Sequence, residues 1–184
     1  MTKLRPAAFL DRDGVINRDH GYVGKWEEFE FLPGAIEGMR LLEQAGYALI
    51  VVTNQSGIAR GYYTEEDFKK LTRRMLEALE THGVHVTAVY HCPHHPQGVV
   101  PELAINCGCR KPAPGMLLRA AKEHGLSLAD SVMIGDKPSD LDAAWEAGVE
   151  KRLAVGIIPL AKDISQGKVL SYDGLLQAAI AVLG

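Results

Sequence analysis

Ala7-Ala8-Phe9-Leu10-Asp11-Arg12-Asp13-Gly14-Val15-Ile16-Asn17 is the stretch on which the fold and the chemistry of this chain turn. An apolar run of strand length leads into two aspartates one residue apart, then a glycine. Alternate side chains of a strand share a face, so Asp11 and Asp13 can point to one side where the strand ends. Gly14 lets the backbone turn away with no Cβ in the way. Two carboxylates held that close repel, which calls for a divalent cation, a shared proton, or both. Asp and Gly are also ordinary turn residues, so the rest of the chain must separate a site from an acidic turn.

The 184 residues are 47% hydrophobic and 23% charged, enough to bury a core as one globular domain over 1–184. A net charge of −3 with no basic run argues against nucleic acid as a partner. Met1-Thr2-Lys3-Leu4-Arg5-Pro6 starts basic but has no long apolar stretch behind it, against a signal peptide. No segment reaches membrane-spanning length, so no membrane partner is expected. The three cysteines all lie between positions 92 and 109. That odd count argues against a disulfide framework and for a reducing, cytoplasmic location. No long apolar stripe is left unassigned, so a monomer is expected.

Outward from the opening strand, strands and helices alternate. Arg18 to Trp26 is polar, glycine-punctuated and aromatic, a loop where Tyr22 and Trp26 either meet a ligand or pin the loop to the core. Pro33-Gly34 opens a helix with Ile36, Met39 and Leu41 or Leu42 on one face, closed by Ala45-Gly46. Tyr47 to Val52 is a strand buried on both faces, ending in Thr53-Asn54-Gln55-Ser56-Gly57. Thr64 and Asp67 make a capping box, Tyr63 can staple against Phe68, and Phe68, Leu71, Met75 and Leu79 form one apolar stripe. Val84 to His91 alternates as a strand. Pro114 to His124 is a helix with Gly125 beyond its end. Asp130 to Gly135 is a strand running into Asp136-Lys137-Pro138-Ser139-Asp140, after which Leu141, Ala144, Trp145 and Gly148 give a helix its packing face. A further strand falls between Val149 and Ile158, and Ser171 is expected to cap a last helix through Leu183.

This alternation predicts α/β architecture: a doubly wound, Rossmann-like parallel sheet with right-handed crossovers. Ligands of such sheets bind beyond the carboxyl ends of the strands. Three of those ends carry polar clusters: Asp11/Asp13, Thr53/Asn54 and Asp136/Asp140. Lys111, just before a helix, adds a cation. Carboxylates that hold a hard metal beside a lysine and a hydroxyl are what a phosphoryl group requires. A carboxylate attacking phosphorus meets charge repulsion unless Mg²⁺ bridges the two, and a second acid must protonate the leaving alkoxide and later activate water.

In that order the chain resembles the haloacid dehalogenase (HAD) superfamily of phosphohydrolases. Asp11-Arg12-Asp13-Gly14-Val15-Ile16 looks like its first motif, Thr53 the second, Lys111 the third, and Gly135-Asp136-Lys137-Pro138-Ser139-Asp140 the fourth. The resemblance implies that Asp11 is the nucleophile and Asp13 the general acid/base. It also implies that Asp136 completes a Mg²⁺ site with Asp11 and the backbone carbonyl of Asp13. Asp140 either supports the site or holds Lys137.

Cys92-x-His94 and Cys107-x-Cys109 bracket the twelve residues from His95 to Asn106, in a stretch with no helical or strand period. Three thiolates and one imidazole make a closed, structural Zn²⁺ site. His91 or His95 could replace His94, but alternation with Cys92 favours His94. The metal would stiffen a loop, 92–109, too irregular to hold itself and would set Arg110 and Lys111 in place.

The interval between Asp13 and Thr53 has room only for a loop and a helix, and that between Thr53 and Lys111 for a helix, a strand and the metal loop. Neither holds a separate cap domain. A capless member with this loop resembles the heptose-1,7-bisphosphate 7-phosphatases within the superfamily. That implies Mg²⁺-dependent removal of the C7 phosphate from a small phosphorylated sugar, for lipopolysaccharide-core or related glycan precursors. Substrate contacts are then expected at Asp19, His20, Gly21, Tyr22, Asn54, Gln55, Ser56, Arg110 and Lys137. With Lys111 assigned to the reacting phosphate, the planar fork of Arg110 is free for a second one. The nearest rival is a histidinol-phosphate phosphatase; a rival of another class is a non-catalytic, zinc-stiffened phosphosugar-binding domain.

Overall fold

The computed structural model describes residues 4–156 and 169–184. Its centre is a six-stranded parallel sheet in the order β3-β2-β1-β4-β5-β6. The strands are β1 (Arg5–Leu10), β2 (Ala48–Asn54), β3 (Ala88–Cys92), β4 (Leu126–Gly135), β5 (Lys151–Val155) and β6 (Leu170–Tyr172). The helices are α1 (Ala35–Gln44), α2 (Glu65–Thr81), α3 (Gly115–His124), α4 (Pro138–Ala147) and α5 (Leu175–Leu183).

Alternation along the buried strands divides the core in two. Ala8, Leu10, Leu49 and Val51 face Met39 and Leu42 of α1, Met75 and Leu79 of α2, and α5. Ala7, Phe9, Ala48 and Ile50 face Met116 and Leu117 of α3 and Leu141 and Ala144 of α4. The continuous apolar runs of β1 and β2 are thereby explained, because helices cover both sheet faces. The Thr64/Asp67 capping box forms as the sequence indicates, and Tyr63, Phe68 and Ile58 pack in one small cluster. Between Asp13 and Thr53 lie a 3-10 turn and α1, and between Thr53 and Lys111 lie α2, β3 and an irregular loop with one 3-10 turn, so no cap domain intervenes.

Several local expectations are corrected. The third strand starts at Ala88, not Val84; Val84 to Thr87 form a connection, although Val84 is buried. β4 begins at Leu126 rather than Asp130, because its first residues pair with Arg5 and Pro6 before an irregularity in which β4 carries the extra residues. Gly148 is no packing residue but the left-handed C-cap of α4, and Trp145 lies beneath the Arg152 guanidinium, 4.6 Å from it. Ser171 caps no helix. It belongs to β6 and its hydroxyl donates to the Gly156 carbonyl, while Gly174 is the N-cap of α5. The basic start Met1-Thr2-Lys3 and the end of the Val149–Ile158 run lie outside the described residues. Among the described residues no helix is long and apolar enough to cross a membrane.

Candidate active site

Strand order reverses at β1: the chain steps outward through β2 and β3, then returns to β4 on the other side. The crevice at that switch point lies at the carboxyl ends of β1, β2 and β4, where the three polar clusters meet. A cleft of about 500 Å³ opens there, lined by Asp13, Asp19, Gly21, Tyr22, Asn54, Gln55, Ser56, Tyr63, Arg110, Lys111, Pro112, Lys137 and Ser139. A smaller, deeper recess adds Asp11 and Asp140.

The floor is built around Lys111. Its side chain is 1% exposed, and its Nζ donates to Asp11 at 2.9 Å and the Val52 carbonyl at 2.7 Å and pairs with Asp140 at 2.7 Å. Burial disfavours the ammonium, but Asp11 and Asp140 outweigh it and raise its pKa. The Lys111 backbone is pinned by the Asn54 amide, which donates to its carbonyl and accepts from its N–H, both at 3.0 Å. Asp140 has a definite task. One oxygen meets Lys111 and the other accepts the N–H groups of Asp136 and Lys137 at 3.1 and 3.0 Å. It therefore supports the site and leaves the Lys137 ammonium to Asp19 at 3.2 Å and Asp136 at 3.9 Å.

Asp11, Asp136 and Asp140 bring carboxylate oxygens within 4.8 Å of one another. Burial first, opposed by Lys111 and reinforced by Asp140, raises the pKa of Asp11. Burial and the Asp11 charge push Asp136 up to about 8. The Asp136 Oδ1 atom is buried with no hydrogen-bond partner. Carboxylates crowded until one resists ionisation, with an orphaned oxygen among them, are a donor set suited to a hard divalent cation. Gly14 belongs to the same construction: its φ is +89° and any Cβ there would collide with the Asp136 carboxylate.

Asp13 faces the cleft with both oxygens occupied. Arg12 donates at 2.8 and 3.0 Å, Asn17 at 2.9 Å and Gln55 at 3.0 Å. Arg12, fully buried, also donates to the Val23 carbonyl at 2.7 Å and so ties Asp13 to the Arg18–Trp26 loop. In that loop Tyr22 lines the cleft and meets Tyr62 edge-on at 4.7 Å, while Trp26 stacks on Phe29 against the core.

The cysteines and His94 converge as the spacing predicts. Cys92 Sγ lies 3.0 Å from Cys109 and 3.5 Å from Cys107, and His94 Nδ1 lies 3.4 Å from Cys109. A tetrahedral Zn²⁺ with S–metal bonds of about 2.3 Å separates its ligands by roughly 3.8 Å, so three thiols and an imidazole gathered this closely suit that ion. His91 and His95 are spent elsewhere, on Glu65 at 2.6 Å and near Arg60 at 3.1 Å. Burial raises the Cys92 thiol, whereas the Arg110 and Cys109 amides and neighbouring thiols overcome burial at Cys107 and bring it to about 7. Arg110 follows directly, its Nη1 3.5 Å from the His94 carbonyl.

Three of the expected site residues have surroundings or partners of their own. His20 lines not the main cleft but a neighbouring surface cleft with Glu27 and Glu28. Thr53 is 1% exposed and its hydroxyl accepts from Gln55 at 2.8 Å. Asn54 reaches the cleft, yet its amide is consumed by the Lys111 backbone. Sequence reasoning missed Arg12, Asn17, Tyr63 and Ser139. For Arg12 a signal was present, since an arginine wedged between two site aspartates has anions on either side.

Comparison with known proteins gives the family of the chain. Residues 108–154 match the HAD-hydrolase-like family. The chain is 52% identical over 182 residues to D-glycero-beta-D-manno-heptose-1,7-bisphosphate 7-phosphatase of Escherichia coli K12, covering 97% of this chain and 95% of the relative. It is 45% identical over 144 residues to the D-glycero-alpha-D-manno-heptose-1,7-bisphosphate 7-phosphatase of Photorhabdus laumondii, covering 78% of this chain and 79% of that one. The D,D-heptose 1,7-bisphosphate phosphatase of B. bronchiseptica, solved with magnesium and phosphate, superposes with a TM-score of 0.83 at 33% identity, covering 97% of this chain and 98% of that one.

Proposed function

Since the chain belongs to the D-glycero-D-manno-heptose-1,7-bisphosphate 7-phosphatase family of HAD-like hydrolases, we propose that it removes the C7 phosphate of the heptose 1,7-bisphosphate to leave heptose 1-phosphate. The observation that carries the chemistry is the buried ammonium of Lys111 seated between Asp11 and Asp140 beside the crowded carboxylate of Asp136. A cation fixed at the floor of an acidic cleft binds a phosphoryl dianion where Asp11 can reach it. The β-anomer is the preferred substrate, because the relative named for it matches at higher identity and over more of both chains.

Asp11 attacks phosphorus through a carboxylate oxygen as the bond from phosphorus to the C7 oxygen breaks. Asp13 gives a proton to that departing oxygen. Asp13 then takes a proton from the water that attacks the aspartyl phosphate, and phosphate leaves as Asp11 is restored. Lys111 neutralises the phosphoryl oxygens, and the Thr53 hydroxyl and nearby backbone N–H groups bind them. Mg²⁺ would be held by Asp11, Asp136 and the backbone carbonyl of Asp13, and supplies charge that offsets the repulsion between nucleophile and phosphate. Asp140 is already satisfied by Lys111 and two backbone N–H groups, which leaves Asp136 as the partner of Asp11. Asp19, Gly21, Tyr22, Ser56 and Lys137 form the rim against the sugar, and Arg110 meets the C1 phosphate.

Cys92, His94, Cys107 and Cys109 would hold structural Zn²⁺ in the 92–109 loop, which stiffens the approach to Arg110 and Lys111. Reduced thiols at such a site require a reducing compartment, which supports a cytoplasmic location, and the enzyme acts as a single-domain monomer. Replacing Cys107 by Ser removes one ligand of four. Zinc content by mass spectrometry should fall well below one per chain, and a fully loaded variant would reject the assignment.

The reaction is tested by phosphate release with Mg²⁺ from both anomers of heptose 1,7-bisphosphate beside histidinol phosphate. Preference for the bisphosphate is expected, with the β-anomer ahead. Preference for histidinol phosphate would move the substrate and leave the chemistry standing.

A further inference from the structure

Tyr63 is anchored by more than the apolar contact that its position before α2 suggests. Its ring, 8% exposed, sits between two glycines: a Cβ on either Gly24 or Gly57 would collide with it. Two separate loops thus give up side chains at the same ring. Its hydroxyl donates to the Oε1 of Gln55, itself 2% exposed. Burial holds the phenol above its ordinary pKa, so it keeps its proton and remains a donor.

With its oxygen taken, the Gln55 amide can turn only its NH₂ toward the site. One N–H reaches Asp13 Oδ2 at 3.0 Å and the other Thr53 Oγ1 at 2.8 Å. Both N–H donors and the oxygen are engaged, which fixes which way the amide faces. Arg12 and Asn17 hold the Asp13 Oδ1 from the opposite side. The Thr53 hydroxyl, accepting from Gln55, keeps its own hydrogen for a phosphoryl oxygen.

We propose that Gln55, braced by Tyr63, is a positioning residue for Asp13, setting the carboxyl at the angle and distance from which it hands its proton to the departing C7 oxygen. The inference rests on the aspartyl-phosphate chemistry proposed above and adds residues that touch neither phosphorus nor the leaving group. In the step affected, the Asp11 oxygen bonds to phosphorus, the bond from phosphorus to the C7 oxygen breaks, and the proton of Asp13 ends on that oxygen.

Leaving groups separate this role from a structural one. A sugar alkoxide needs the proton, whereas p-nitrophenolate departs without one. The test measures the single-turnover rate of enzyme phosphorylation by heptose 1,7-bisphosphate and by p-nitrophenyl phosphate, for wild type, Gln55→Leu and Tyr63→Phe, with thermal melts in parallel. General-acid catalysis contributes about 10²–10⁴-fold. Gln55→Leu should therefore slow the sugar reaction by about 10²-fold more than the aryl reaction, since any slowing through Thr53 falls on both substrates alike. Tyr63→Phe keeps the ring between Gly24 and Gly57 and should show the same selectivity at about 10-fold. Equal slowing of both substrates, or slowing of neither, would overturn the inference while the proposed function stands. A wild type inert toward the bisphosphate yet active on the aryl ester would overturn the substrate reading instead, and an alkyl phosphate that it does hydrolyse would then serve for the same comparison.

Discussion

The floor and the rim of the cleft are both charged, yet they are built on opposite terms. On the floor, the side chains of Lys111, Asp11 and Asp140 are 1%, 7% and 2% exposed, and Lys111 has three partners. On the rim, the Lys137 side chain is 52% exposed and reaches Asp19 at 3.2 Å, while among the described residues the Arg110 guanidinium reaches only a carbonyl, at 3.5 Å. Charges withdrawn from water cannot be left unpaired, so the floor admits one arrangement. Charges in contact with water exchange partners at little cost, so the rim can yield to a ligand. The difference assigns the chemistry to the floor and the selection of substrate to the rim.

The largest expected effect lies on the floor. Asp11→Asn removes the nucleophile, and turnover should fall by at least about 10⁴-fold with the circular dichroism spectrum unchanged. Retained activity would break the distinction at once. Lys111→Met strands Asp11 and Asp140 facing each other without the ammonium between them. Loss of one partner from a buried ion network costs about 3–5 kcal/mol, read from urea denaturation without metal. A loss no greater than that of Lys137→Met would make floor and rim equivalent.

Arg110→Ala tests the rim. A hydrogen bond to a charged group is worth about 1.5–3 kcal/mol, so KM for the bisphosphate should rise about 10–100-fold with kcat little changed. A monophosphate should be hardly affected, and an equal rise for both would remove Arg110 from the second phosphate.

The smallest effect is a proton. Asp136 titrates near 8 without metal because of burial and the Asp11 charge. Its folded pKa is raised, so the native state holds a proton that the unfolded chain has lost. Stability of the metal-free protein should thus decline as pH rises from the ordinary carboxylate range to about 8, and level off beyond. Mg²⁺ competes with that proton, so its affinity should climb with pH, by up to about tenfold per unit, and flatten above about 8. Calorimetry in buffers of different ionisation enthalpy would read the released proton, and pH-independent affinity would show that Asp136 is no ligand.

Much of this was legible along the chain because it is local. The alternation of Ala7 to Leu10, the run from Tyr47 to Val52, the Thr64/Asp67 box and the Cys92-x-His94 and Cys107-x-Cys109 pairs depend on neighbours within a turn or a strand. β6 was missed because three residues carry no readable period, and Ser171 was misplaced since a serine before an apolar run suits a cap as well as a strand. Val84 read as strand because burial and alternation do not by themselves require a pairing partner.

Residue order alone determined that Asp11, Asp13, Thr53 and Asp136 stand at or near strand ends and Lys111 just before a helix, because periodicity and breakers are written locally. Tertiary structure decided what each side chain spends its hydrogen bonds on. Asn54 meets the Lys111 backbone across 57 residues, Lys111 meets Asp11 across 100, and Gln55 meets Asp13 across 42. Hydrogen-bonding groups of one type are interchangeable until packing selects which lie within about 3 Å. That is why Gln55 and Asn54, adjacent in sequence and alike in chemistry, ended with different tasks: one aims an acid and the other pins a lysine.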